Sequence, residues 1–80
     1  MAVTYEGLAN FLADELAVDP AEIAPTALLF SRGVIDSFSL VSLLTYLETE
    51  GGFMIDPADV NLENFDTIDR MLEYASRMAA

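Results

Sequence analysis

An aspartate and a serine stand together at the mouth of an apolar run in GVIDSFSLVSLL, residues 33–44. Asp36 and Ser37 raise the first chemical question of the chain. A serine hydroxyl becomes a nucleophile only when a base lies within hydrogen-bond reach. The 80 residues contain no histidine, no lysine and no cysteine. The usual neutral-pH general base is therefore missing, and so are the common amine and thiol nucleophiles. Ser37 is not expected to activate itself, and a self-contained hydrolase or transferase is disfavoured. Two roles remain. Asp-Ser ahead of an apolar helix is a capping signal, with Asp36 the natural N-cap and Ser37 in the first turn. Alternatively Ser37 is a substrate serine, modified by another enzyme that brings the base. Its place at a helix start suits the second role, because first-turn amides and the helix dipole stabilise an attached phosphate.

Other chemistry is poorly supported. Asp56, Asp59, Glu63 and Asp66 cluster in sequence, but they lack the alternating ligands, central glycine and closing glutamate of a calcium loop. They read as helix caps and a solvated face, and no metal site is expected. Met54, Met71 and Met78 fall at apolar positions and read as core or groove lining. With no cysteine, disulfides, zinc thiolates and iron–sulfur ligation are excluded. Fourteen acids against three arginines give a net charge of −11, which repels nucleic acid and anionic lipid and favours a basic protein partner. The N-terminal segment has no basic n-region, and no apolar run reaches the ~20 residues of a membrane span. A cytoplasmic, monomeric chain without membrane insertion is the simplest expectation.

The elements that must position Ser37 follow from periodicity. In TYEGLANFLADELAV, Tyr5, Leu8, Leu12 and Leu16 recur at helical steps behind a Thr4 cap. Residues 19–34 form a long ordered loop pinned by Val18, Ile23, Leu28, Leu29 and Phe30. Within it Asp19-Pro20-Ala21-Glu22 has the cap-Pro-acid form of a short helical start, stopped by Pro25. A loop of this length inside a compact domain points to function. In SFSLVSLLTYLETEGG, Leu40, Val41, Leu43, Leu44 and Leu47 make the apolar face, and Ser39, Ser42 and Thr45 an uncharged polar line. Gly51-Gly52 ends this helix, the first glycine being placed to take the left-handed cap. Asp56-Pro57-Ala58-Asp59 repeats the earlier local signal and predicts a short helix over 57–62. Phe53-Met54-Ile55 has strand composition but no evident partner. Ile68, Met71, Leu72, Ala75 and Met78 mark the last helix, with Asp66 as its expected cap. The spacing predicts an all-α bundle of three main helices and one short one, with a long loop after the first, in a single domain over 1–80.

On these residues the chain resembles the phosphopantetheine carrier proteins, the acyl, peptidyl and D-alanyl carrier superfamily. The resemblance rests on Gly33-x-x-Asp36-Ser37, on the stretch from Glu48 to Ile55 (E-x-x-x-G-F-x-I), on Phe65-Asp66-Thr67-Ile68 ahead of the last helix, and on the helix order. It covers nearly the whole chain. It implies a four-helix bundle of acyl-carrier type. It implies that Ser37 receives 4′-phosphopantetheine from coenzyme A through a magnesium-dependent phosphopantetheinyl transferase, with Asp36 as cap and part of what the transferase recognises. The arm then carries acyl or aminoacyl groups as thioesters, loaded by a ligase and passed to a downstream transferase or synthase.

The sequence departs from the fatty acid carriers in two ways. Phe38 follows the serine where many of them have leucine, and the D-S-F run is closer to D-alanyl and other stand-alone aminoacyl carriers. Ser39, Ser42 and Thr45 also occupy positions where those carriers place acids; here the acids come late, at Glu48 and Glu50. Recognition through shape and apolar contact is expected, with Phe38, Val41, Ser42 and Ile55 as candidate partner contacts. Spacing alone leaves Phe38 and Val41 open between contact and core. The bundle interior at Leu44, Leu47, Ile68, Met71 and Leu72 is a candidate shelter for an acyl tail. The ends of the sequence suggest a stand-alone chain. The competing reading is a small acidic helical adaptor that binds a partner protein with no prosthetic group, with Ser37 only part of a cap.

Overall fold

The structure, a computed structural model, describes residues 2–79. Its elements run α1 (Tyr5–Asp14), a 3₁₀ turn (Pro20–Glu22), α2 (Ser37–Gly51), a second 3₁₀ turn (Pro57–Asp59), α3 (Leu62–Phe65) and α4 (Ile68–Ala79). The described residues contain no strand, so Phe53-Met54-Ile55 is an extended connection. The architecture is the all-α bundle of acyl-carrier type, three main helices and one short one with a long loop after the first. α4 makes the close backbone approaches, against α1, α2 and α3.

The core follows the helical spacing with one rotation. Leu8 and Leu12 of α1, Leu29 of the loop, Leu43 and Leu47 of α2, and Ile68 and Met71 of α4 have no exposed surface. Burial of each such side chain stabilises the fold by roughly 1.5–3 kcal/mol before entropy is counted. In α2 the buried edge is Leu43 and Leu47, not a stripe through Val41, which is 66% exposed. Met71 is core, whereas Met54 and Met78 are exposed, so the three methionines do not share one environment. Leu28 also faces out, while Val18 and Leu29 anchor the loop.

Local signals set most boundaries. The Thr4 hydroxyl accepts from the Gly7 amide at 3.1 Å, capping α1. That helix ends at Asp14, short of its apolar pattern. Ala17 takes a left-handed φ of 57°, and the Val18 amide turns back to the Leu12 carbonyl. An alanine in that region carries no sequence mark of the kind glycine gives. Asp19 and Asp56 each accept from the amide two residues on, at 2.9 Å, and each starts a single 3₁₀ turn. The expected helix over 57–62 is therefore two pieces: the turn at 57–59, then α3, capped by Asn61. At the end of α2 the left-handed residue is Gly52, with φ 70°, and Gly51 is the last helical residue.

One cap is placed differently from the expectation. Asp66 does not cap α4; the Thr67 hydroxyl does, accepting from the Arg70 amide at 3.0 Å. Asp66 is buried and turns toward the long loop. The second 3₁₀ turn is tied to α4 by the Tyr74 hydroxyl, which donates to the Asp59 carboxylate at 2.8 Å. The Tyr74 ring sits between Phe65 and Phe53, at 5.2 and 6.1 Å between centroids.

Candidate functional site

The long loop delivers Ser37. Its midpoint is fastened to the α3–α4 junction: the Leu29 amide donates to the Asp66 carbonyl at 2.7 Å, and the Asp69 amide to the Pro25 carbonyl at 3.1 Å. The Asp66 carboxylate then gathers the next two residues. One oxygen accepts the amides of Phe30 (2.8 Å) and Ser31 (3.0 Å), and the other accepts the Ser31 hydroxyl. Beyond this point the loop closes on itself, with Gly33 N–H bonded to the Phe30 carbonyl and Ile35 N–H to the Leu29 carbonyl. Gly33 has φ 74°, the left-handed conformation that a side chain would strain. Ile35 is buried beneath the turn and sets the chain on course for α2.

At the start of α2 the two neighbouring polar residues divide the work. Asp36 is extended and caps, its carboxylate accepting from the Ser39 amide at 2.9 Å. Ser37 is the first helical residue and is exposed. Its hydroxyl is thus presented to solvent at the positive end of a 15-residue helix. The Asp36 carboxyl is held below its ordinary value, first by the Ser39 amide and then by the Ser39 hydroxyl, with the Phe38 amide adding to them. Burial pushes the Asp66 carboxyl upward, but the Ser31 hydroxyl and the Ser31 and Phe30 amides outweigh it, helped by the Arg70 charge, and the net shift is downward. Both groups are therefore carboxylates at neutral pH.

The surface around Ser37 combines exposed apolar side chains with polar ones. Phe38 is 89% exposed and Val41 66%, which places both candidate contacts outside the core. Ser42 and Thr45 are exposed as well. Ile55 differs: it is half-buried, packs against the core, and donates its amide to the Glu48 carboxylate at 2.8 Å. Two clefts flank α2. One, of about 250 Å³, is lined by Phe30, Leu40, Val60, Asn61, Leu62 and Phe65. The other, of about 420 Å³, runs along the α1–α2 seam over the stacked rings of Phe11 and Tyr46 and includes Val41, Ser42 and Thr45. Sequence reasoning missed Ser31 and the loop-holding role of Asp66. The partners lie 35 residues apart, and no local spacing connects them.

A serine carried on a helix start, relieved of capping and in a chain with no histidine base, suits a group attached by another enzyme. The match to known families agrees. The family model described as "Phosphopantetheine attachment site" covers residues 6–75, and the chain belongs to that family. It is a phosphopantetheine-bearing carrier, not a catalyst, and its prosthetic group is covalently attached 4′-phosphopantetheine. Such carriers interact with modifying and synthetic enzymes. The described residues fit the group: the α2 start offers an exposed hydroxyl, and its helix dipole favours a phosphodiester. When bound, the arm supplies a terminal thiol that this cysteine-free chain lacks. Among the described residues no helix is long and apolar enough to cross a membrane.

Proposed function

We propose that Ser37 is the attachment point and that residues 1–80 act as one carrier domain holding acyl or aminoacyl groups as thioesters. The observation that carries the assignment is the division of labour at the α2 start: Asp36 caps, and Ser37 is left exposed. In the modification step the Ser37 oxygen forms a new bond to the phosphorus nearest the pantetheine end of coenzyme A. The phosphoanhydride bond breaks, the nucleotide part leaves, and the serine proton passes to a base of the transferase, since this chain has no histidine and the neighbouring Asp36 carboxylate is engaged as the helix cap. Asp36 holds the helix start and forms part of what the transferase recognises.

Once loaded, the carrier contributes position. Tethering raises the effective concentration of the cargo at a partner's active site. Loading by a ligase and hand-over to a downstream transferase or synthase use the face around Phe38, Val41 and Ser42, with half-buried Ile55 a further candidate contact from the turn that leaves α2. Of the candidate shelter residues, Leu47, Ile68 and Met71 are fully enclosed and Leu44 and Leu72 half-buried, so a long tail would need the bundle to open, whereas an amino acid or short acyl cargo would not.

The test is intact mass after incubation with coenzyme A, magnesium and a broad-specificity phosphopantetheinyl transferase, with Ser37→Ala alongside. A gain of one phosphopantetheine, absent from the variant, is the expected result. No gain on folded protein would move the adaptor reading to first place.

A further inference from the structure

The Ser37 reading accounts for the helix start but leaves the most densely bonded carboxylate of the chain without a role. Asp66 is only 2% exposed, and its three side-chain hydrogen bonds all go to Phe30 and Ser31, none to the start of α4 that it precedes. Its backbone carbonyl holds Leu29 as well. Resting on the assignment of Ser37, we propose that Asp66, through Ser31, is a positioning residue for arm attachment: it clasps loop 29–35 in the one posture that presents Ser37 to the transferase.

The geometry favours positioning over simple stabilisation. The clasped residues precede Ser37 by six and seven positions and lie in the turn closed by Phe30–Gly33 and Leu29–Ile35 bonds. Leu29 and Ile35 anchor the two ends of the loop in the core, with Phe30 and Val34 half-buried against it, but the tip at Ser31, Arg32 and Gly33 is exposed. At the tip, hydrogen bonds to one carboxylate supply order that packing does not. Without them the turn samples several postures, and a partner that reads one of them binds more weakly by the fraction of time that posture is populated. Such a loss raises KM and leaves kcat unchanged, because Ser37 itself is untouched.

The substitutions separate these roles. Asp66→Ala removes all three acceptor contacts. Asp66→Asn keeps an oxygen for the two amides, and its NH₂ can donate to the Ser31 hydroxyl, which accepts as readily as it donates. Ser31→Ala removes one contact and leaves the loop backbone bonds. Transferase kinetics on the folded proteins should show KM for the carrier raised about tenfold in Asp66→Ala, less in Ser31→Ala, and largely restored in Asp66→Asn. Hydrogen exchange should quicken at the Phe30 and Ser31 amides in the alanine variant while the Leu43 and Met71 amides stay protected. Wild-type KM in folded Asp66→Ala would overturn the proposal with the Ser37 assignment intact. Should that variant not fold, Ser31→Ala decides: unchanged KM and unchanged exchange would overturn it. A wild-type chain that takes no arm at all would overturn the Ser37 assignment, and this inference with it.

Discussion

The Glu48 carboxylate of α2 accepts the backbone amide of Ile55 at 2.8 Å, across the turn that leaves the helix. This contact gives a physical reason for the E-x-x-x-G-F-x-I stretch. Glu48 reaches past the helix end, Gly52 reverses the chain with φ 70°, and the Ile55 side chain returns to the core. Removing the acceptor leaves a partly buried amide unpaired. Glu48→Ala should lower stability by about 1–2 kcal/mol, and Glu48→Gln, which keeps an acceptor, by less. Urea unfolding midpoints at neutral pH check both, with arm attachment at Ser37 expected to survive in each.

The two glycines at the same turn should fail for different reasons. A Cβ at Gly51 would collide with the Phe53 ring, so the ring would have to shift and disturb its edge contact with Tyr74. A Cβ at Gly52 meets nothing within 4 Å, and its cost is purely the left-handed backbone. Gly52→Ala should cost about 1 kcal/mol, and Gly51→Ala about 1–3 kcal/mol with a changed near-ultraviolet tyrosine signal. A Gly52→Asn variant, suited to the left-handed region, should recover part of the loss, which thermal unfolding would show.

What was legible in the sequence was local. The caps at Thr4, Asp19, Asp36 and Asp56 each reach an amide two or three residues away, within the span that a sequence pattern reports. Periodicity found every main helix, but not the rotation of α2, because Val41 and Leu43 are both apolar and only packing decides which is buried. The stop at Ala17 was hidden, since it depends on Val18 being drawn to Leu12 and uses no glycine. The role of Asp66 was hidden for a different reason. Asp66-Thr67 offers two capping residues in succession, and the sequence does not show that the loop 35 residues earlier claims the first and leaves α4 to the second.

The titration of the buried groups sets opposite pH limits. Asp66 has a folded pKa below its ordinary 3.8, so its contribution is present above that value and is lost as pH falls through the folded pKa. Tyr74 is raised above 10.0, first by burial and then by its bond to Asp59, so its contribution is present below pH 10.0 and is lost as pH rises through the folded value. Thermal midpoints should therefore fall below about pH 4 and above about pH 10. Asp66→Asn should flatten part of the acid limb, Asp36 being lowered as well, and Tyr74→Phe the alkaline limb, each leaving the other limb in place. A Tyr74→Phe variant with an unchanged alkaline limb would assign that limb elsewhere; Tyr46, raised first by burial and then by Glu50, is the next group to test.

Phe38 separates folding from recognition. With 89% of its surface exposed and its place one residue after Ser37, it contributes little to the core and much to whatever approaches the serine. Phe38→Ala should change unfolding free energy by no more than about 0.5 kcal/mol. If the ring is an anchor for the transferase or for a downstream enzyme, kcat/KM for that partner should fall about tenfold or more. Val41 lies one turn further on, and its smaller area predicts a smaller loss. The neighbouring Ser42 and Thr45 carry no charge, so the Phe38→Ala effect should persist as salt is raised, whereas the encounter rate set by the overall −11 charge should change with salt equally in wild type and variant. Stopped-flow association at two ionic strengths measures both terms. A Phe38→Ala loss that vanished at high salt would mean that the ring acts by orienting charged groups and not by its own contact.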